Sequence, residues 1–125
     1  MFELHGSVLR NYCQKCHRFY PAEYVKNADG IPRCVCGGII KPDVVLYEEG
    51  LAEKTVEGAL EAISRADMLL VAGTSLTVYP AAGFLRYYHG NRLVLINRDP
   101  TPFDDRADLV IHGSLGQVLS QLENI

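Results

Sequence analysis

Four cysteines, Cys13, Cys16, Cys34 and Cys36, fall in two close pairs with the spacing C-x2-C-x17-C-x-C, and the chain has no others. Two close pairs separated by a loop let four sulfurs converge on one tetrahedral point, with Zn–S distances of about 2.3 Å. Gly37 and Gly38 follow the second pair directly and permit the tight turn of a metal knuckle. Four thiolate ligands leave no position for water, so the chemistry indicated is a structural Zn2+ rather than a catalytic one. Two disulfides, or scattered core cysteines, are the alternative uses of these thiols. The N-terminus lacks a signal-peptide pattern, which leads to the expectation of reduced thiols and a cytoplasmic setting. His17 adjoins Cys16 and is expected to be solvated. Residues 17–33, with Asp29-Gly30 turn chemistry, read as a hairpin or irregular excursion.

A second group of polar residues takes its meaning from the apolar runs that precede it. Four short runs, Val44–Tyr47, Met68–Ala72, Leu93–Ile96 and Leu109–Ile111, lack polar alternation and read as strands of a parallel sheet covered on both faces. Between the first two, Val56, Leu60 and Ile63 recur at i, i+4 and i+7, an amphipathic helix. Between the second and third lies PAAGFLRYYHG, with Pro80 suited to a first helical turn and Gly90 to a C-terminal cap. Leu115–Leu122 forms a last helix, with Leu115, Val118, Leu119 and Leu122 on one face. Strand–helix alternation with short connections predicts an α/β fold: a partial Rossmann-like parallel sheet carrying a small zinc-binding module near the N-terminus.

In such sheets ligands bind beyond the carboxyl ends of the strands. There stand Gly73-Thr74-Ser75-Leu76, Asn97-Arg98-Asp99 and His112-Gly113-Ser114. Gly73 lets a ligand approach the backbone, and the hydroxyls of Thr74 and Ser75 and the amide of Asn97 can hydrogen-bond ribose or phosphate. A plain turn and a strand-end cap are the alternatives. Together the three segments indicate a nucleotide site. There is no G-x-G-x-x-G and no Walker A sequence, so ordinary dehydrogenase and P-loop readings find no support.

The 125 residues, 48% hydrophobic and 22% charged, fit one soluble domain carrying an insertion. A net charge of −3 weighs against a direct nucleic-acid partner. No apolar run reaches the ~18 residues of a membrane span, so no membrane partner is expected.

The order ELHGS, CxxC…CxC, PDVVLYEE, GTSLTVYPAA, LINRD and ADLVI resembles the sirtuin family of NAD-dependent protein deacylases. The resemblance runs over nearly the whole chain but over only about the second half of a full sirtuin. The Gly-Ala-Gly-type NAD loop and the Gln-Asn-x-Asp motif of the family's first half are missing, so the chain reads as a fragment whose isolated activity is in question. The resemblance implies three segments: 1–8 with the catalytic histidine, 9–40 as the zinc module, and 41–125 as the C-terminal part of the NAD-binding domain.

Residue by residue, the resemblance makes His5 the general base that deprotonates a ribose hydroxyl, after the acyl-lysine oxygen has attacked the ribose and nicotinamide has left. It places NAD+ against Gly73, Thr74, Ser75 and Asn97. It also places Leu115 near the adenine, although Leu115 equally fits its own helix's core face. It implies that Val44, Val45, Leu46 and Tyr47 pair strand to strand with an acyl-lysine peptide; a plain buried strand is the alternative. Where the family commonly has Phe-Gly-Glu, this chain has Tyr47-Glu48-Glu49, and the carboxylates there favour basic peptides. His17, His89 and His112 match nothing catalytic. A sheet without its first strands exposes an edge, which predicts self-association. The rival functions are a non-catalytic zinc-ribbon interaction module and a scaffold completed by a separate chain.

Overall fold

β1 (Gly6–Cys13) is the middle strand of an antiparallel sheet, flanked by β2 (Phe19–Pro21) and β3 (Ile40–Val44) in the order β2-β1-β3. The β1–β3 ladder runs from Gly6↔Val44 at one end to Cys13↔Ile40 at the other, and its register breaks between Ser7 and Asn11. The break has a chemical cause. Asn11 stands opposite Pro42, which has no N–H to give to the ladder. Asn11 is buried, and its Nδ2 donates to the Val8 carbonyl at 3.1 Å and to the Tyr20 carbonyl at 3.4 Å. One side chain therefore holds the bulge and ties β1 to β2. The computed structural model describes residues 1–122, in two compact units, Met1–Val56 and Glu57–Ile125. The core of the first is small: Cys13, Tyr20, Cys34 and Ile40, with Val25 and Cys36 packed against it. The excursion 17–33 becomes β2 and a short helix, α1 (Ala22–Lys26).

One expected strand is corrected. The run Val44–Tyr47 does not form a strand of the parallel sheet. β3 ends at Val44 and belongs to the antiparallel sheet, and Leu46 and Tyr47 are exposed. The backbone beyond Val44 is spoken for elsewhere. The Val45 N–H donates to the His5 carbonyl at 3.1 Å, and the Leu46 N–H to Glu49 Oε2 at 3.0 Å.

The second unit holds the expected parallel sheet, β4 (Leu69–Ala72), β5 (Leu93–Asn97) and β6 (Leu109–His112), in the order β4-β5-β6. α2 (Glu53–Ser64) precedes it and carries the amphipathic stripe. The segment after β4 forms a 3-10 helix, Ala81–Tyr87, rather than an α-helix. That helix stops before Gly90, whose role is spatial and not that of a cap. A Cβ there would lie 2.4 Å from the Tyr88 hydroxyl. α3 (Leu115–Ser120) is shorter than the sequence predicts, and Leu119 and Leu122 are exposed. The core comprises Leu76, Leu85, Tyr88, Leu93 and Leu95, with Ile63, Leu69, Val71, Phe103 and Val110 against it. Strands β4 and β6 are edges, and Leu70 and Leu109 are exposed, so these strands are not covered on both faces.

Tyr88 secures this core with its polar end. Its hydroxyl donates to the Asp67 carbonyl at 3.2 Å and accepts the Arg92 N–H at 3.1 Å. Removing it strands two backbone groups. Tyr88→Phe is expected to destabilise the chain by about 1–2 kcal/mol in urea unfolding, with an unchanged m-value.

Candidate functional site

The four cysteines meet at one point. Their sulfurs all lie within 4.8 Å of one another, with Cys13–Cys36 and Cys16–Cys34 each at 3.5 Å, and all four are free thiols. Ligands at about 2.3 Å around a tetrahedral centre stand roughly 3.8 Å apart, so the cluster fits one ion. The disulfide alternative is not what the structure shows. Each glycine of the knuckle has its own function. Gly37 takes φ +80°, and Gly38 passes so close to Cys13 that a Cβ would sit 2.6 Å from its sulfur. His17 is exposed, at φ +56°, and is not in the cluster.

Hydrogen bonds aim at the sulfurs before any ion arrives. Cys13 Sγ accepts from the N–H groups of Lys15 (3.3 Å) and Cys16 (3.4 Å), and Cys34 Sγ from the Cys36 N–H (3.5 Å) and the Tyr20 hydroxyl (3.0 Å). The Cys36 N–H and the Tyr20 hydroxyl bring the Cys34 thiol down to about 6. At Cys13, burial opposes ionisation, but the Cys16 and Lys15 N–H groups outweigh it and lower the pKa. At Cys16 the Arg18 N–H favours the thiolate, yet hydrogen bonding to Cys34, Cys36 and Cys13 pushes the thiol up to about 12. The N–H groups and the Tyr20 hydroxyl thus favour the thiolate form at the two buried sulfurs, the form in which cysteine binds a metal ion.

At the other end of the β1–β3 ladder lies His5. It occupies a turn closed by the Gly6 N–H donating to the Glu3 carbonyl at 3.0 Å, and its imidazole is exposed. Gly6 has φ +74°, and a Cβ there would fall 1.8 Å from the Asp43 carbonyl oxygen, so no other residue fits. The Val45–His5 backbone bond brings this turn together with the segment Val44, Val45, Leu46 and Tyr47. Beside them is a groove of about 300 Å3 lined by Glu3, Leu4, Arg10, Lys41, Val45 and Glu49 among others. Glu48 takes φ +70° without being glycine. The Leu46 N–H and the Lys41 ammonium, at 3.0 Å each, hold the Glu49 carboxyl below its usual range. Only Glu48 of the two carboxylates is left facing solvent without an ion pair.

In the second unit, the parallel register sets the three strand ends side by side. Ala72 pairs with Ile96 and Asn97 with His112. The Gly73 N–H donates to the Ile96 carbonyl, and the Gly113 N–H to the Asn97 carbonyl, at 3.0 Å each. Gly73 is exposed at φ +63° with nothing within 4 Å of where a Cβ would be. Thr74 Oγ1 accepts the Leu76 N–H at 3.2 Å and keeps its own proton to donate. Ser75 Oγ pairs with Thr77 Oγ1 at 2.7 Å. Asn97 Nδ2 donates to the Asp99 carbonyl at 2.8 Å, which leaves Oδ1 as a free acceptor. Leu115 is half-buried at the start of α3. Two features of the rim were not foreseen: Leu76 is buried at φ +55°, and His112 Nε2 stands 3.5 Å from Asp104 Oδ2. Nothing in the residue types marks the first; the second joins positions eight apart across a loop.

The comparisons with known proteins point one way. The Sir2 family model matches residues 1–80. An NAD-dependent protein deacetylase of Clostridium perfringens is 56% identical over 98% of this chain and 51% of its own length; one from Cutibacterium acnes is 53% identical over 98% and 50%. A solved Sir2–p53 peptide–NAD+ complex matches with a TM-score of 0.85 and 33% identity, over 98% of this chain and 54% of that one. The chain spans about half the length of the curated relatives it matches. On the family model and these relatives together, the chain belongs to the Sir2 family.

Proposed function

We propose that this chain is the C-terminal part of an NAD-dependent protein-lysine deacylase, transferring the acyl group from lysine to ADP-ribose with release of nicotinamide. The observation that carries the reading is the rim of the parallel sheet, where Gly73, Asn97 and Gly113 are stitched side by side at the position where Rossmann-like sheets receive ligands. The similarity to NAD-dependent deacetylases supports it.

Gly73 admits the cofactor to the backbone, Thr74 and Ser75 offer hydroxyls, Asn97 Oδ1 accepts from a ribose hydroxyl, and Leu115 lies against the adenine. NAD+ when bound supplies the glycosidic bond that is broken. His5 is the general base, and Val44, Val45, Leu46 and Tyr47 pair with the acyl-lysine peptide, Glu48 favouring basic neighbours. Cys13, Cys16, Cys34 and Cys36 hold a structural zinc that takes no part in the reaction. The functional division is 1–8, 9–40 and 41–125, in a cytoplasmic protein. Exposed apolar side chains on the edge strands β4 and β6, with Met68 and Leu70 at the first, support self-association through a sheet edge.

The rival reading is an interaction module without catalysis. The test is nicotinamide release from NAD+ by the zinc-loaded chain, alone and mixed with a polypeptide spanning the first half of a longer relative. Acetyl-lysine-dependent release is expected in at least one of the two, falling about 100-fold or more in His5→Ala. Release in neither, with NAD+ and peptide unbound, overturns the reading in favour of the module.

Zinc has its own test. Chelation is expected to abolish amide-exchange protection in 6–44 while protection at Leu93–Ile96 persists, because the first unit's core consists largely of metal ligands. Tyr20→Phe deletes one donor to Cys34 and is expected to weaken zinc retention about tenfold in a chelator competition. Unchanged retention would show that the hydroxyl does not tune the site.

A further inference from the structure

The histidine turn is held by a residue that sequence reading passed over. Arg10 stands in the bulge of β1, where residues between Ser7 and Asn11 leave the β3 register. Its Nη1 meets Glu3 Oε2 at 2.6 Å, and its Nε meets Asp43 Oδ2 at 2.9 Å. One planar guanidinium therefore joins the first residue of the His5 turn to the strand residue beside Val44, two points 40 positions apart in sequence.

We propose that Arg10 is a positioning residue that fixes the His5 turn against the start of the peptide-pairing segment. The inference rests on the deacylase reading for the meaning of His5, but its geometry stands apart from that reading. Three constraints converge on the turn. The Gly6 N–H closes it onto Glu3, the Asp43 carbonyl occupies the space beside Gly6, and the Val45 N–H holds the His5 carbonyl. The first constraint has value only if Glu3 is itself anchored, and Arg10 is that anchor. The second depends on where Asp43 lies, and Arg10 grips that side chain too. The bulge that aims Arg10 is set from below by buried Asn11 and by Pro42. Glu3, Arg10 and Asp43 retain 37%, 39% and 47% of their side-chain exposure. Pairs so wetted add little to global stability. The clasp is therefore a local restraint on a histidine whose ring must be free to meet substrate, and not a pillar of the fold.

The experiment is amide hydrogen exchange with 15N relaxation on the zinc-loaded 125-residue chain, comparing wild type with Arg10→Gln. Exchange at Gly6 and Val45 is expected to rise about tenfold, with a lowered heteronuclear NOE at His5. Cys13 and Ile40, whose N–H groups bond Arg18 and Pro32, are expected to be unchanged. Arg10→Lys keeps the charge without the fork and is expected to restore part of the protection. Glu3→Gln weakens one arm alone and is expected to loosen Gly6 more than Val45. Unchanged exchange at both positions in Arg10→Gln overturns the proposal. A uniform rise that includes Cys13 and Ile40 also overturns it, since Arg10 would then support the whole unit. The deacylase reading fails by a different result: His5→Ala leaving nicotinamide release intact would remove His5 from catalysis while the exchange data still decided the clasp.

Discussion

Everything in the first unit depends on four sulfurs being held where no disulfide joins them. The four sulfurs lie within 4.8 Å of one another, two of them buried and accepting backbone N–H groups, an arrangement suited to a cation between them. The core around them contains little else, since Tyr20 and Ile40 are the only members that are not cysteine among its buried residues. A unit of this size with so little hydrocarbon cannot order its strands by burial alone. The β1–β3 ladder carries that order outward. Cys13↔Ile40 is its cysteine end and Gly6↔Val44 its far end, with the bulge between them.

The second unit is built on the opposite principle. Its core is aliphatic and aromatic, and its polar groups work at the margins: Asp108 Oδ2 accepts the Leu93 N–H at 2.8 Å, and Tyr88 bridges Asp67 and Arg92. Leu76 belongs to that core although it stands in the rim loop. Holding a leucine at φ +55° costs about 1 kcal/mol, and its burial among Leu85, Leu93 and Leu95 offsets that cost. The packing thus fixes the direction in which Gly73, Thr74 and Ser75 leave β4. Strain of this kind persists where the surroundings over-determine it, and here they do so next to the strand ends.

How much of this was legible follows from where the information sits. The cysteine spacing determined the metal cluster because four ligands at a fixed distance leave few solutions. The runs Met68–Ala72, Leu93–Ile96 and Leu109–Ile111 read correctly as parallel strands, each within a residue of the observed bounds, because unalternated apolar residues between helices have few other homes. The run at Val44–Tyr47 misled for the same reason. Its composition is that of a strand, but its donors go to His5 and Glu49, a matter of tertiary partners that no local pattern encodes. Gly90 looked like a cap and proved to be space for a ring. Arg10 and Asn11 were invisible as site residues because their importance lies in what they reach, seven or more positions away in the case of the Arg10 contacts.

At Tyr47-Glu48-Glu49 the chain takes a backbone path suited to glycine without having one there. Glu48 adopts φ +70°, the left-handed region that a glycine enters freely. A side chain there costs about 1 kcal/mol. The neighbouring residue answers it: the Glu49 N–H returns to the Leu46 carbonyl at 3.1 Å, and the Glu49 carboxylate takes the Leu46 N–H and the Lys41 ammonium. Both ends of the turn are thereby closed by Glu49. The backbone path does not need glycine once that closure exists, and what the substitution adds is one exposed negative charge on Glu48. The difference from the commoner sequence is therefore electrostatic before it is conformational.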